Sequence, residues 1–396
     1  MSSKLAGVRV IDAGTRIAAP FCAGLLGEQG AEVVKVEQPR EGDFLRVLGP
    51  FVHDDYSLFW AVEGRGRKSV TCDLRQPEGQ ELFRRLCAHA DVLVENFRPG
   101  TLEHWNVGPA DLDPRLVIVR CTIFGQDGPY AARPGLDRIG MSYGGVMYLT
   151  GYADRPPVRT GVTIADYLTG VFAAEAAVAA LYDRDARGSG KGSVIDVAQY
   201  EAVLRTLEWT IPGYELTGEI RERSGNRLAH AAPMDNFVAS DGKYVCITAG
   251  AEANFERLCK AMGRPELADD PRFATPGDRA EHGDEINDIV SEWVMGQTTD
   301  EAVSACVKSG VPVAPILSVA ELVVDEHLVA RGALVEIDDP IAGPHHQQAP
   351  LPRFDGEAPV APTAAPRLGE HNEDVWCGLV GLSADELADY QSRGVI

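Results

Sequence analysis

Short apolar runs alternate with amphipathic stretches over the first third of the chain. Gly7-Val-Arg-Val-Ile-Asp12 reads as a strand, Ala19 to Gln29 as a helix stopped at Gly30, and Glu32-Val-Val-Lys-Val-Glu37 as the next strand. Ser69-Val-Thr-Cys-Asp73 is a third, followed by a helix from Pro77 to Ala90 with proline in the first turn, where its missing N–H removes no bond. Asp91-Val-Leu-Val-Glu95 and Leu116-Val-Ile-Val-Arg120 continue the series. This alternation predicts an α/β fold around a parallel, doubly wound, Rossmann-like sheet. Strands that are apolar throughout are expected where both faces are covered.

Beyond Arg120 the periods lengthen. Asp166 to Asp183 reads as one Ala-rich helix, Lys191 to Val197 as a strand, and a helix starts at Gln199. Around Arg223-Ser-Gly-Asn-Arg227 the character changes to a strand pair (Asp235 to Ala239, Lys243 to Thr248), several helices and Pro312-Val-Ala-Pro-Ile316. This predicts a smaller α+β domain over 225–325, reached by a linker over 201–224. Gly343 to Pro366, rich in Pro, Gly and Ala, is expected to be an extended excursion, and Ser383 to Arg393 a closing helix with acids in its first turn.

At 396 residues with 45% apolar and 24% charged positions, the chain has the balance of a soluble globular protein. The longest candidate apolar stretch, Gly170 to Leu181, carries Glu175 and is short for a bilayer span. The N-terminus shows no apolar signal-peptide core, so a cytoplasmic location is expected. Eight scattered cysteines form no CxxC pair and predict reduced thiols rather than a metal site. The net charge of −22 argues against nucleic acid as a partner. It is also uneven, with −2 over residues 1–138 and −20 over the remainder, so an anionic ligand meets least repulsion in the first third.

Dinucleotide, Walker, GxSxG and HExxH motifs are absent, and Gly14-Thr-Arg-Ile-Ala-Ala-Pro20 stands where a GxGxxG turn would follow the first strand. Other stretches carry more. They are Leu5-Ala-Gly-Val-Arg-Val-Ile-Asp12; Leu26-Gly-Glu-Gln-Gly-Ala-Glu-Val-Val-Lys-Val-Glu37 with Gly42-Asp43; Arg67-Lys-Ser-Val-Thr-Cys-Asp-Leu74; and Asp91-Val-Leu-Val-Glu-Asn-Phe-Arg-Pro-Gly100. Gly125-Gln-Asp-Gly-Pro129, Gly192-Ser-Val-Ile-Asp-Val-Ala198, Arg223-Ser-Gly-Asn226, Asp270-Pro-Arg-Phe273, Gly310-Val-Pro-Val313 and Leu368-Gly-Glu-His371 follow in order. Together they resemble the class III coenzyme A transferases, the carnitine, bile-acid and formyl-CoA transferase family. The resemblance implies a large domain built from residues 1–200 and from 326–396 with its linker, and an interlocked homodimer.

It also implies that Asp166, in Val162-Thr-Ile-Ala-Asp-Tyr-Leu-Thr-Gly170, is the catalytic nucleophile. An aspartate before an Ala-rich helix is by itself usually an N-cap. The readings are compatible, since a helix N-terminus favours a carboxylate by about 0.3–1 kcal/mol. The implied reaction moves CoA from an acyl-CoA to a carboxylic acid through an acyl-aspartyl anhydride and an aspartyl-CoA thioester. CoA is a substrate, with no permanent cofactor and no metal.

Family positions for CoA fall on Arg16, Ile17, Gln38, Cys72, Arg75, Asn96, Phe97, His104, Trp105 and Arg138. Gln38 departs from the usual basic residue, and Arg40 stands close enough to substitute. Arg159, Arg223 and Arg227 are candidates for a second substrate carboxylate, and Thr248-Ala-Gly250 for a flap. The rival within the family is a 2-methylacyl-CoA racemase, which needs a histidine where Leu136 stands; leucine exchanges no proton. Glu252 matches a racemase position, or is a loop acid. A non-catalytic acyl-CoA binding protein and a CoA-dependent hydrolase are the alternatives outside it.

Overall fold

The computed structural model describes residues 4–53, 55–228 and 230–396. The start at Met1–Ser3, on which the signal-peptide reading rests in part, lies outside them. The chain divides into two compact units, one of residues 1–147, 159–215 and 326–396, the other of residues 148–158 and 216–325.

The larger unit is organised by six strands, β1 (Arg9–Asp12), β2 (Glu32–Glu37), β3 (Lys68–Thr71), β4 (Val92–Glu95), β5 (Val117–Thr122) and β6 (Val194–Ala198). They pair in the order β3-β2-β1-β4-β5-β6, every pair parallel. Successive side chains of a strand point to opposite faces, and here each face is covered. Val10, Val33, Val92, Val94, Val117 and Val119 pack on helices α1 (Ala18–Glu28) and α5 (Ile164–Leu181). Ile11, Val34, Val70, Leu93 and Ile118 face α3 (Pro77–Cys87) and the C-terminal residues Val375, Trp376, Leu387 and Val395. The covered faces explain the continuous apolar runs, and the second face explains why the end of the chain folds with its beginning.

Helices α1 and α5 approach closely because their contact is made of small side chains. A Cβ on Gly170 would stand 2.8 Å from the Phe21 ring and 3.0 Å from the Ala18 carbonyl oxygen. By length and composition α5 with its extension, residues 164–186, would suit a membrane, but Ala173, Ala174, Ala177 and Ala180 are spent on the core.

The excursion expected over Gly343 to Pro366 is corrected in part. Strand β11 (Gly343–Gln348) pairs antiparallel with β10 (Leu334–Asp339) in register Leu334↔Gln348 to Asp339↔Gly343, while the rest is without regular structure. The polar Gly-Pro-His-His-Gln-Gln strand has no apolar alternation by which to recognise it. The closing helix α10 (Ala384–Ser392) is capped as its sequence suggests: the Glu386 N–H donates to Ser383 Oγ at 3.2 Å, and the Ser383 N–H donates to Glu386 at 2.8 Å.

The smaller unit holds a three-stranded antiparallel sheet, β9 (Val313–Pro315), β8 (Tyr244–Thr248) and β7 (Met234–Val238) in that order. Helices α7 (Glu252–Ala261), α8 (Gly283–Met295) and α9 (Thr299–Ser309) enclose its core of Phe237, Ile247, Phe255, Phe273 and Val290. Arg279 is fully buried there and donates to the carbonyls of Ala232, Phe273 and Gly250.

Candidate active site

In the larger unit the chain leaves β1 and β4 in opposite directions, which opens a crevice at their carboxyl ends. Asn96, directly after β4, closes the floor of that crevice. Its Oδ1 accepts the Thr15 N–H at 2.8 Å and its Nδ2 donates to the Thr15 carbonyl at 2.7 Å. The loop is held from below by buried charge. Lys35 interrupts the apolar run of β2, pairs with Asp43 at 3.0 Å and Asp12 at 3.5 Å, and donates to the Gly14 carbonyl. Burial opposes the ionised Asp43, but Lys35 and backbone N–H groups hold its carboxyl below the usual range. Asp43 in turn accepts the Arg16 N–H at 3.2 Å, fixing Arg16 at a φ of 65° with its guanidinium over the Phe44 ring.

Asp166 sits in the first turn of α5 but does not cap it. The N-cap residue Thr163 makes no side-chain cap either. The cap comes from another helix, α4 (Asp137–Tyr143): Asp137 Oδ1 accepts the N–H groups of Ala165 at 2.9 Å and Asp166 at 3.3 Å. This leaves the Asp166 side chain free of structural duty apart from one bond, in which Gln199, the first residue of α6 (Gln199–Leu204), donates Nε2 to Asp166 Oδ1 at 2.5 Å. Burial first, then the Asp137 carboxylate, raises the Asp166 carboxyl to about 7, against the pull of Gln199 and Arg16; Glu63 adds to the rise. Such a group is half ionised near neutrality and more basic than a solvated carboxylate.

Asp166 opens onto a cavity of about 240 Å³ whose walls include Arg16, Ile17, Asn96, Phe97, Arg98, Arg133, Leu136 and Gln199. Among the described residues Arg16, Arg98 and Arg133 form no ion pair with a carboxylate. A second cavity, of about 270 Å³, shares Thr15 and Phe97 with the first and is lined by Gln38, Cys72, Arg75 and Trp105. The two lie over the carboxyl ends of adjacent strands, with Asp166 in the lining of the first and Arg75 in that of the second.

Of the residues singled out from the sequence, Arg16, Ile17, Asn96, Phe97 and Asp166 line the first cavity and Gln38, Phe97, Cys72, Arg75 and Trp105 the second. His104 and Arg138 are exposed and line neither. Several have duties within the protein. The Cys72 thiol is buried on the Gly79 carbonyl at 3.3 Å and its pKa is pushed up by burial, while Arg75 is paired with Asp73 at 2.8 Å. Arg223 and Arg227 are not available for a substrate carboxylate. Arg223 donates to the carbonyls of Tyr152 and Arg155, and Arg227 is clamped by Asp235 at 2.6 Å and Asp284 at 2.5 Å. Glu252 accepts from Arg279 at 3.1 Å in the first turn of α7, which gives it a structural partner. Asp137, Gln199, Lys35 and Asp43 were not named as site residues, although Lys35, a charge inside an apolar strand, and Asp43 both stand in the quoted stretches.

The profile of CoA-transferase family III matches residues 5–372. The chain belongs to that family. It is a CoA-transferase, and its fold is that of the family: a solved CaiB/BaiF family protein from Brucella suis superposes with a TM-score of 0.83 at 34% identity, covering 96% of this chain and 100% of that one. Among curated relatives, the succinyl-CoA–D-citramalate CoA-transferase of Chloroflexus aurantiacus is 43% identical over 392 residues, 98% of this chain and 97% of the relative. The succinyl-CoA–L-malate CoA-transferase β subunit of the same organism is 40% identical, over 99% and 98%. The acetyl-CoA:oxalate CoA-transferase of Acetobacter aceti is 36% identical, over 83% and 85%. CoA thioesters are the substrates of this family.

Proposed function

We propose that this CoA-transferase moves CoA from succinyl-CoA to a second C4 or C5 dicarboxylic acid, with Asp166 as the covalent acyl carrier. The observation that carries the reading is the Asp166 carboxylate, released from capping by Asp137 and facing a cavity whose three arginines form no ion pair among the described residues. The dicarboxylate class follows from the relatives named for citramalate and malate, and a cationic cavity suits acids that keep a free carboxylate after acylation.

CoA lies across the two cavities, passing Asn96 and Phe97, with its thioester at Asp166. The carboxylate attacks the thioester carbonyl, the C–S bond breaks and CoA departs as the thiolate, leaving a mixed acyl-aspartyl anhydride. The thiolate then attacks Cγ of Asp166 and expels the donor acid, giving an aspartyl-CoA thioester. The acceptor carboxylate displaces CoA to form a new anhydride, which the thiolate opens at the acceptor carbonyl, restoring Asp166. Each intermediate remains a high-energy acyl group, so the thioester energy is conserved as long as water is kept out.

We further infer a cytoplasmic, interlocked homodimer. The cysteines are all free, as suits a reducing compartment. Apolar side chains such as Val171 and Phe172 on α5, with Leu204 and Trp209 beyond it, are left exposed on the single chain, as a partner surface requires. The test of function is a matrix of acyl-CoA donors against mono- and dicarboxylic acceptors, read by mass spectrometry. Succinyl-CoA with hydroxylated dicarboxylates is expected to give the fastest exchange. A preference for monocarboxylates, or net release of CoA without a new thioester, would contradict the proposal.

A further inference from the structure

The carboxamide of Gln199 stands against the Asp166 carboxylate, and the reaction as written gives it no part. Gln199 is 2% exposed and lies at the junction of β6 and α6. Its Nε2 donates to Asp166 Oδ1 at 2.5 Å. Its own Oε1 is buried and finds no donor among the described residues. An ionised carboxylate only accepts, so the amide turns its NH₂ toward Asp166 whatever this leaves for its oxygen. The room comes from Gly140, where a Cβ would stand 2.5 Å from Oε1 and 2.9 Å from Cγ of Gln199. A buried amide held with one end unsatisfied calls for an explanation beyond packing.

We propose that Gln199 is a catalytic residue that keeps Oδ1 as the non-attacking oxygen of Asp166 and donates to it when it becomes an oxyanion. The inference rests on Asp166 being the nucleophile. With Oδ1 engaged, Oδ2 attacks the thioester and becomes the bridging oxygen of the anhydride. When the CoA thiolate adds to Cγ, the C=O electron pair moves onto Oδ1, against Gln199 Nε2. Collapse breaks the Cγ–Oδ2 bond and releases the donor acid with that oxygen. The same oxyanion forms again when the acceptor carboxylate adds to Cγ and CoA leaves. The other two steps build their negative charge on the substrate's acyl oxygen, away from Gln199. Gln199 therefore assists two of the four steps and not the first. That asymmetry distinguishes an oxyanion donor from a packing residue.

The test is a rapid acid quench of enzyme mixed with donor acyl-CoA and no acceptor, with free thiol counted against subunits. It is applied to the wild type, to Gln199→Met, which keeps length without the donor, and to Asp166→Ala. Gln199→Met is expected to lose about 10²–10³-fold in turnover, as for removal of one oxyanion donor. It should bind CoA within a factor of two of wild type and accumulate close to one free thiol per subunit, because the anhydride forms but is slow to open at Cγ. Should that variant not fold, Gly140→Ala, which pushes the amide from its place, is expected to show the same thiol build-up with slowed turnover. Turnover within threefold of wild type, with Asp166→Ala inactive, would overturn the role of Gln199 alone. Loss of the thiol build-up in step with turnover would make Gln199 a packing residue. Turnover in Asp166→Ala would remove the nucleophile and this inference with it.

Discussion

Replacing Asp137 by Asn separates the two things its carboxylate does for Asp166. Asparagine keeps an oxygen for the N–H groups of Ala165 and Asp166, so α5 stays capped, but the negative charge is gone. Two like charges about 6 Å apart repel by roughly 1.4–2.8 kcal/mol at an effective dielectric of ~20–40. The lower figure corresponds to about one pH unit. The sign follows from the charge: without Asp137⁻ the ionised form of Asp166 is less opposed, so its pKa falls from about 7. The bend on the acid side of the kcat/KM profile, which belongs to the coupled pair, should move down by about one pH unit. Relative activity at pH 5.5–6 should therefore rise, while the high-pH plateau drops several-fold because a less basic carboxylate is a poorer nucleophile. Initial rates of acyl transfer from pH 5 to 9, with wild type and Asp137→Asn in the same buffers, check both effects. An acid limb that stays put or moves upward would refute the reasoning. Asp137→Ala, which also removes the cap, should in addition cost about 1 kcal/mol of stability.

Asp166→Asn is expected to raise the thermal midpoint at pH 8 by about 2–6 °C and to leave it nearly unchanged at pH 4. Asp166 binds its proton more tightly folded than unfolded, so its penalty is absent below the unfolded value near 4, grows as pH rises toward the folded value of about 7, and is full above it; equal midpoints at pH 8 would contradict the raised pKa. Asn96→Ala removes both bonds to Thr15 and should raise the KM for acyl-CoA by about 10–100-fold with a smaller effect on kcat, measured at saturating acceptor. A single enantiomer of a 2-methylacyl-CoA in deuterated water should keep its α-proton. Leu136, which lines the cavity, exchanges no proton, and inversion with deuterium uptake at rates rivalling transfer would turn the assignment toward a racemase.

Much of the large unit was legible because its strands are short apolar runs set off by amphipathic helices. Strand β2 matches its expected bounds, and β1, β4 and α1 fall within one or two residues of theirs. What escaped had no periodic signature. Strand β11 is polar on both sides, and its partnership with β10 depends on pairing, not on a buried face. The candidate site divides the same way. Asp166 could be named because its local stretch resembles the family's, and Arg16, Asn96 and Phe97 were named in the same way, as family positions that fall in loops at strand ends. Asp137 and Gln199 reach Asp166 from positions 29 and 33 residues away in the chain, and only the folded arrangement puts them there. Arg223 and Arg227 show the converse: as letters they were free cations, and in the fold their donors are already taken.

The most direct measurement traps the acyl-enzyme. Enzyme mixed with succinyl-CoA and quenched with hydroxylamine should carry a hydroxamate on Asp166 alone, located by peptide mass mapping, with about one equivalent per subunit and none in Asp166→Asn. A label on one of the cysteines or on Glu252, or a full rate of transfer with no trapped adduct, would contradict covalent catalysis through Asp166.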